Sequence, residues 1–270
     1  MTDQFANFLS HLECGLTGER HEVGKVHGLS KAGKPLLARY DLAAIKAKVD
    51  RDAIWLRDSG FWKWRELLPV QNSQNVCALG EVDTPLIPLH QLHPNSQVIV
   101  KDEGRLPTGS FKARGLALAV AMAKELGLDH LAMPTNGNAG SALAAYAARI
   151  GMQTTIVCPD DTPAINIEET ALQGAKVFKA NGLINACGAW VKAGADAGKW
   201  FDLSTLKEPY RIEGKKTMGL ELAAQLGWTL PDVILYPTGG GTGLIGMWKA
   251  FAELIELGWL EQTDLPRMVA

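Results

Sequence analysis

The chain has 270 residues, of which 47% are hydrophobic and 21% are charged, a composition typical of a globular protein with a sizeable core. Its formal net charge of -2 gives no electrostatic reason to expect nucleic acid or an anionic membrane as a partner. The N-terminus lacks a basic start followed by an apolar stretch, and no uncharged apolar run is long enough to cross a bilayer. We therefore expect a soluble cytoplasmic protein.

Residues 1–78 differ from the rest of the chain and are predicted to form an N-terminal extension. PLLARYDL predicts a strand that runs into a helix near Ala43. The aromatic segment FWKWRELLPV is more typical of packing or of a subunit contact than of a ligand site.

Four scattered cysteines without a C-x-x-C pair argue against a disulfide framework and a zinc ribbon. Cys14 has His11, His21 and His27 nearby in the sequence, which leaves a metal site as a weaker alternative to a free thiol. We expect no metal.

From Thr84 onward, short apolar strands alternate with helices. The predicted strands are 97–101, 130–134, 154–158, 175–179 and 232–236, and the predicted helices are 111–126, 139–150, 164–173, 184–197, 218–226 and 244–257. Apolar strands between helices predict an α/β fold with a parallel sheet covered on both faces. The last residues, LPRMVA, predict the beginning of another buried strand, so we expect the chain to be a fragment.

Three loops are predicted at the edge of the sheet where ligands bind in such folds. In the first, PTGSFK, Ser110 is a suitable N-cap, and Lys112 lies in the first helical turn. The helix dipole disfavours a protonated amine there and lowers its pKa, as a lysine that reacts with a carbonyl group requires. A solvated surface lysine is the alternative reading of this loop on its own.

The second loop, TNGNAG, contains Thr135, Asn136 and Asn138, and its small residues and free amides suit a carboxylate, although a capped turn explains them as well. The third loop, TGGGTG, follows a buried strand and precedes a helix, which indicates an anion cradle suited to phosphate.

A dinucleotide site is an alternative for the third loop. Gly241, Gly243 and Gly246 fit G-x-G-x-x-G, but the chain stops before the position where that fingerprint needs an acidic residue. This reading, which implies an oxidoreductase, leaves the other two loops without a role.

The stretch KDEGRLPTGSFKARG resembles the threonine synthases, pyridoxal-phosphate enzymes of fold type II related to the tryptophan synthase β chain. TNGNAG and TGGGTG occur where that group places its other cofactor contacts, and the resemblance extends to ECGLTGE, PLLARYDL and DTPAIN.

The resemblance implies a role for each loop. Lys112 would bind pyridoxal 5'-phosphate covalently and move protons during catalysis, and Asn138 would hydrogen-bond the phenolic oxygen of the cofactor. The cofactor phosphate would be bound by Gly239, Gly240, Gly241, Thr242 and Gly243. Thr135 and Asn136 would bind the substrate carboxylate.

The segment EPYRIEGKKT is similar to the N-P-x-R-x-E-G-x-K-T pattern of threonine synthases, and Arg211 would then bind the substrate phosphate. Taken alone, the same segment reads as a surface loop rich in Lys215 and Lys216. Asn136 and Glu208 depart from the usual pattern, and an acid beside a phosphate is unfavourable unless it points away. The residue that usually contacts the pyridine nitrogen would lie beyond Ala270.

The resemblance implies two three-layer α/β domains around mainly parallel sheets, with the cofactor in the cleft between them and the large domain incomplete. We expect the small domain at 97–205 and the large domain at 79–96 and 206–270. The implied reaction converts O-phospho-L-homoserine and water to L-threonine and phosphate, with activity impaired by truncation, in an expected homodimer. The alternatives are a serine or threonine dehydratase, the oxidoreductase above and a non-catalytic remnant that folds poorly.

Overall fold

The computed structural model describes residues 4–58, 60–92 and 97–270. Strands β1 (Leu9–Cys14), β2 (Arg20–His21) and β3 (Leu36–Tyr40) form an antiparallel sheet in the order β2-β1-β3. β3 leads into α1 (Leu42–Lys48), which confirms the prediction for PLLARYDL, and α2 (Arg51–Trp55) follows.

The aromatic segment after α2 is part of the core. It forms a 3-10 helix, Phe61–Leu67, in which Phe61 and Trp64 are fully buried. The Trp64 ring stacks on Trp55 at 6.3 Å and meets Trp228 edge-on at 6.4 Å. The predicted packing role is confirmed.

No group of three potential metal ligands occurs within 4–58, 60–92 and 97–270. Instead, the buried Cys14 thiol donates a hydrogen bond to Ser30 Oγ at 3.1 Å. In the same three ranges, no helix is long and apolar enough to cross a membrane.

Strands β4 (Leu86–Pro88) and β5 (Ile99–Lys101) pair in antiparallel fashion and precede the first long helix, α3 (Lys112–Glu125). β5 lies within the predicted strand 97–101, and α3 lies within the predicted helix 111–126. The expected domain boundary, between residues 96 and 97, adjoins residues 93–96, which lie outside the described residues. The division into domains therefore stays a prediction.

The central sheet consists of four parallel strands joined by helices. The strands are β6 (His130–Pro134), β7 (Gln153–Pro159), β8 (Lys176–Ala180) and β9 (Phe201–Asp202), and the connecting helices are α4 (Asn138–Arg149), α5 (Ala164–Leu172) and α6 (Ile184–Asp196). The strand order is β8-β7-β6-β9. The parallel sheet is confirmed, and only the two-residue β9 was missing from the sequence prediction.

Alternating residues of this sheet pack against opposite layers. Leu131 and Met133 join the main core with residues of α3 and α4, whereas Ala132 of the same strand packs with Cys187 and Val191 of α6. Helices therefore cover both faces of the sheet, as predicted.

Helix α7 (Tyr210–Gln225) begins eight residues before the predicted helix 218–226. The reading of Lys215 and Lys216 as part of a surface loop is wrong, because both side chains are fully buried in this helix. Charged residues suggested exposure, but Lys216 forms ion pairs with Glu213 at 2.8 Å and Glu253 at 2.9 Å.

The last elements are β10 (Val233–Leu235), α8 (Thr242–Leu257) and β11 (Arg267–Val269), in which β10 and β11 pair in parallel. The predicted final strand is confirmed, but its predicted burial is wrong, since Arg267 and Val269 are exposed. β11 has only one neighbouring strand in the described part of the chain, and that strand is itself largely exposed.

Glycines allow α3, α7 and α8 to cross closely. A Cβ atom at Gly214 of α7 would lie 2.1 Å from the backbone oxygen of Arg114 in α3. A Cβ atom at Gly246 of α8 would lie 2.8 Å from Lys215 Cβ. This crossing places the N-terminal turns of α3 and α7 beside the glycine loop, residues 238–243, that precedes and opens α8.

Candidate active site

Lys112 is the first residue of α3. The N-cap of α3 is Phe111 and not the predicted Ser110, although the Lys112 backbone N–H donates to Ser110 Oγ at 3.4 Å. The Lys112 side chain is half-buried, and its Nζ lies 3.6 Å from the centroid of the Phe111 ring. The amine is therefore packed against an aromatic side chain and is not a freely solvated surface group.

Burial, and after it the positive charge of Arg211, lower the pKa of Lys112 to about 8. The predicted lowering is in the right direction, but the helix dipole that we expected to cause it is not the main reason. Burial is the larger cause, because the charged amine loses hydration. A large fraction of the amine is unprotonated near pH 8, as a nucleophilic lysine requires.

Thr108, in the turn before Lys112, has a left-handed backbone with φ of 62°. This conformation is costly for a β-branched residue. Within the described structure its Oγ1 is buried and has no hydrogen-bond partner. No local sequence pattern predicts this strain, which is the kind of feature that clusters at functional sites.

The glycine loop has a backbone that side chains would disrupt. Gly241 has φ of 79°, in the left-handed region. A Cβ atom at Gly240 would lie 2.1 Å from Thr205 Cγ2, and one at Gly243 would lie 2.0 Å from Tyr236 Oη. Glycine at these positions keeps the loop open and leaves the first amides of α8 free for an anion.

Tyr236 connects the glycine loop to the loop that carries Lys112. Its ring packs edge-on against Phe111 at 5.5 Å. Its Oη is buried beside Gly243 and has no hydrogen-bond partner among the described residues. The two loops that the sequence singled out separately therefore meet through a pair of aromatic rings.

Arg211, in the first turn of α7, is buried on the same side of the structure. Its Nη1 donates to the backbone oxygen of Leu203 at 3.0 Å and to Thr205 Oγ1 at 3.3 Å. Thr205 is the residue against which Gly240 packs. Arg211 Nε has no partner in the described ranges, so the guanidinium keeps a donor available for an anion.

Glu208, the acid expected beside the substrate phosphate, is buried at the start of α7. Its carboxylate accepts hydrogen bonds from the backbone N–H groups of Tyr210 at 2.7 Å and Arg211 at 3.0 Å, and so caps α7. Burial raises the pKa of Glu208 to about 7, although the charge of Arg211 and these backbone hydrogen bonds act in the opposite sense.

The TNGNAG loop lies at the carboxyl end of β6. Thr135 Oγ1 accepts from the backbone N–H of Gly137 at 3.2 Å, and Asn138, exposed, is the first residue of α4. Asn136 is exposed, and its backbone oxygen accepts from Asn166 at 3.4 Å. Helix α4 packs against the turn Pro107–Gly109. The TNGNAG loop, which leads into α4, therefore lies at the start of a helix that contacts the turn before Lys112.

A buried ionic network, which local sequence patterns do not reveal, holds the start of α3. Arg114 Nε donates to Glu103 at 2.7 Å, and Arg114 Nη1 donates to Glu221 of α7 at 3.0 Å. Glu221 also accepts from Lys101 at 2.6 Å. Arg114 lies two residues after Lys112 and therefore on another side of the helix, where its side chain is fully buried in the core. The network fixes α3 against α7 and thereby positions Lys112.

Lys215 is a second lysine at the site. Its Nζ lies 4.1 Å from the centroid of the Phe111 ring and donates to the backbone oxygen of Phe111. Lys112 and Lys215 therefore contact the same aromatic ring.

These residues fit pyridoxal phosphate. The half-buried amine of Lys112 suits its aldehyde, and the glycine loop with the free amides of α8 suits its phosphate. The unpartnered Tyr236 Oη and Arg211 Nε are buried donors in the same region, which an anionic group would satisfy.

Comparison with known proteins gives a consistent result. A sequence profile described as pyridoxal-phosphate dependent enzyme matches residues 78–270. Threonine synthase of Methanocaldococcus jannaschii is 32% identical over 259 residues, which cover 94% of this chain and 63% of that protein. Threonine synthase of Halalkalibacterium halodurans is 37% identical over 209 residues, which cover 76% of this chain and 58% of that protein. The chain thus spans about three-fifths of the length of these relatives.

Solved structures with the same fold include diaminopropionate ammonia lyase from Escherichia coli in its apo form, with a TM-score of 0.60 and 21% identity over 68% of this chain and 59% of that one. O-ureido-L-serine synthase has a TM-score of 0.59 and 22% identity over 66% of this chain and 58% of that one. At these identities the likeness establishes the fold alone. With the profile match over most of its length and a fold of type II, this chain belongs to the family of pyridoxal-phosphate-dependent enzymes.

Proposed function

We propose that this chain provides the active site of a threonine synthase, which converts O-phospho-L-homoserine and water to L-threonine and phosphate. The observation that carries the proposal is Arg211, a buried guanidinium with an unpartnered Nε whose charge acts on Lys112. A substrate that brings its own phosphate would satisfy this cation. The 32% and 37% identities to threonine synthases support the same choice.

Each loop of the site has a role in this proposal. Lys112 Nζ would bind the cofactor and accept or return protons, because its pKa of about 8 lies near neutral pH. The glycine loop would hold the cofactor phosphate, and Asn138 would orient the cofactor ring. Thr135 and Asn136 would bind the substrate carboxylate. When bound, pyridoxal phosphate supplies an electron sink that stabilises negative charge on the substrate carbons.

The proposal is tested by two assays on one preparation with pyridoxal phosphate added. We expect release of phosphate and formation of threonine from O-phospho-L-homoserine, and no 2-oxobutyrate from threonine. The opposite pattern would identify a dehydratase and refute the proposal. Arg211→Met should raise the KM for O-phospho-L-homoserine by about tenfold to a hundredfold, because a charged hydrogen-bond partner is worth about 1.5–3 kcal/mol.

Three further points from the sequence stay predictions. The cytoplasmic location, the division into two domains and the homodimer follow from composition or from the resemblance. Light scattering of the purified protein checks the homodimer, and a monomer at all concentrations would contradict it.

A further inference from the structure

The surroundings of Lys215 are unusual for a buried lysine. Its side chain is fully buried in the crossing of three helices. A Cβ atom at Gly115 of α3 would lie 3.2 Å from Lys215 Cε, and one at Gly246 of α8 would lie 2.8 Å from Lys215 Cβ. These two glycines leave room both for the backbone of α7 and for the Lys215 side chain, whose amine donates to the carbonyl of Phe111.

Other buried lysines of the structure are paired with carboxylates. Lys216 pairs with Glu213 at 2.8 Å, Lys249 pairs with the same carboxylate at 2.9 Å, and Lys63 pairs with Asp83 at 2.9 Å. Lys215 forms no ion pair with any carboxylate in the described parts of the chain. An unpaired ammonium is costly in such a position, because it loses hydration without gaining a counter-ion.

The charged groups that face Lys215 make a protonated amine still less favourable. Burial, and after it the charge of Lys112, lower the pKa of Lys215 well below its usual range, and Arg211 and Arg114 act in the same sense. Glu103 acts in the opposite sense, but its oxygens already accept from Arg114 at 2.7 and 2.8 Å. From α8, the uncharged Gly246 packs against the start of the Lys215 side chain, and no charged group of α8 contributes to the change in its pKa.

We propose that Lys215 is a latent cation of the anion site: it is uncharged in the free protein and takes up a proton from solvent when a dianion binds beside Lys112, Arg211 and the glycine loop. The inference rests on the proposed function, because it concerns recognition of the same phosphate-bearing ligands. A bound dianion supplies the negative charge that this cluster lacks, and that charge stabilises the ammonium form. The site would thereby favour phosphorylated substrates over uncharged analogues.

The test is to count the protons that the cofactor-free protein takes up when it binds sulfate at pH 7. Sulfate is the probe because it remains a dianion at this pH and does not itself exchange protons. Titration calorimetry in two buffers with different ionisation enthalpies gives the number of protons per bound sulfate. At pH 7 Lys112 is already mostly protonated, because its pKa is about 8.

We expect the wild type to take up about one proton per bound sulfate. The control Lys192→Met, which replaces an exposed lysine paired with Asp196, should take up the same number. Lys215→Met should lose this uptake and bind sulfate about tenfold more weakly, as expected for the loss of one charged partner. Glu208 also titrates near this pH, so Glu208→Gln serves as a second control and should keep most of the uptake.

A second measurement addresses the charge of Lys215 in the free protein. The pH dependence of acetylation of Lys112 by trace acetic anhydride reports the pKa of Lys112. If Lys215 is uncharged, Lys215→Met should leave that pKa near 8, whereas removal of a charged neighbour would raise it.

The inference is overturned if wild type and Lys215→Met take up the same number of protons, if the wild type takes up none, or if it binds no sulfate. Its failure can be distinguished from failure of the proposed function. A protein that forms threonine without sulfate-linked proton uptake refutes only the latent cation. A protein with that uptake that forms no threonine refutes only the threonine synthase assignment.

Discussion

The effect of Arg211 on Lys112 can be predicted in both direction and size. The pKa of Lys112 is lowered from 10.5 to about 8, and burial contributes more to this change than the charge of Arg211 does. Arg211→Met removes the charge but leaves the burial. The pKa of Lys112 should therefore rise, but it should stay closer to about 8 than to 10.5.

The assay is trace acetylation of the cofactor-free protein across the pH range, followed by quantification of the Lys112 peptide by mass spectrometry. Normalising each variant to its plateau at high pH separates the pKa from differences in access to the reagent. Arg211→Lys is the matched control, because it keeps a positive charge at the site and should leave the pKa near 8.

Two results would refute this reasoning. If Arg211→Met returns the pKa to the ordinary value of 10.5, burial is not the main cause and Lys112 is more exposed than the structure indicates. If the pKa does not move at all, the charge of Arg211 does not act on the amine, and the two residues do not share one site.

Three further changes have expected effects on the free energy of unfolding. Gly214→Ala should cost about 3 kcal/mol, because the new Cβ would meet the backbone oxygen of Arg114 at 2.1 Å, which outweighs the roughly 1 kcal/mol gain in helix propensity. Glu221→Gln should cost about 3 kcal/mol at neutral pH, because it removes one of the two carboxylates that pair with the buried Arg114. Thr108→Gly should raise the free energy of unfolding by about 1 kcal/mol, because glycine adopts the left-handed backbone without strain. The change also removes the unpartnered Thr108 hydroxyl from the site. Urea denaturation followed by circular dichroism measures all three.

Each of these variants has a matched control. Gly188→Ala should stabilise α6, since the nearest atom to its new Cβ would be 3.9 Å away, and equal costs at Gly188 and Gly214 would contradict the role of the helix crossing. Glu168→Gln, at an exposed position, should be neutral. Thr108→Ala removes the hydroxyl but keeps the strain, so a gain equal to that of Thr108→Gly would argue against strain as the cause.

The ionisation of Glu221 should make the free energy of unfolding depend on pH. Although burial raises it, the charges of Arg114 and Lys101 lower the pKa of Glu221 to about 2. A carboxylate whose pKa is lowered by folding stabilises the protein above its ordinary value of 4.5, and this stability is lost as the pH falls toward 2. Glu221→Gln should therefore show a weaker loss of stability than the wild type over that range.

The sequence predicted the elements whose patterns are local. Apolar strands such as His130–Pro134 and helices bounded by glycine, such as α4 and α8, agree closely with the structure. The glycine loop and Lys112 were found for the same reason, because each signal lies within a few consecutive residues.

The start of α7 could not be predicted, because its burial depends on partners far away in the sequence. The residues EPYRIEGKKT are polar, and local patterns assign them to the surface. Their charges can be buried because Glu213 and Lys216 pair with each other and with residues of α8. Gly214, which has no side chain, also allows the backbone of α3 to approach α7 closely. The contribution of Lys215 to the site and the network around Arg114 escaped detection for the same reason.

The central claim is that Lys112 and the glycine loop bind one pyridoxal phosphate together. Its most direct test is the visible absorption of the purified protein, in wild type and Lys112→Ala, after incubation with pyridoxal phosphate and removal of unbound cofactor by gel filtration. Borohydride reduction and peptide mapping follow. We expect a band that borohydride abolishes, a cofactor adduct on Lys112, and no band in Lys112→Ala. An adduct on another lysine, or an unchanged band in Lys112→Ala, would contradict the account.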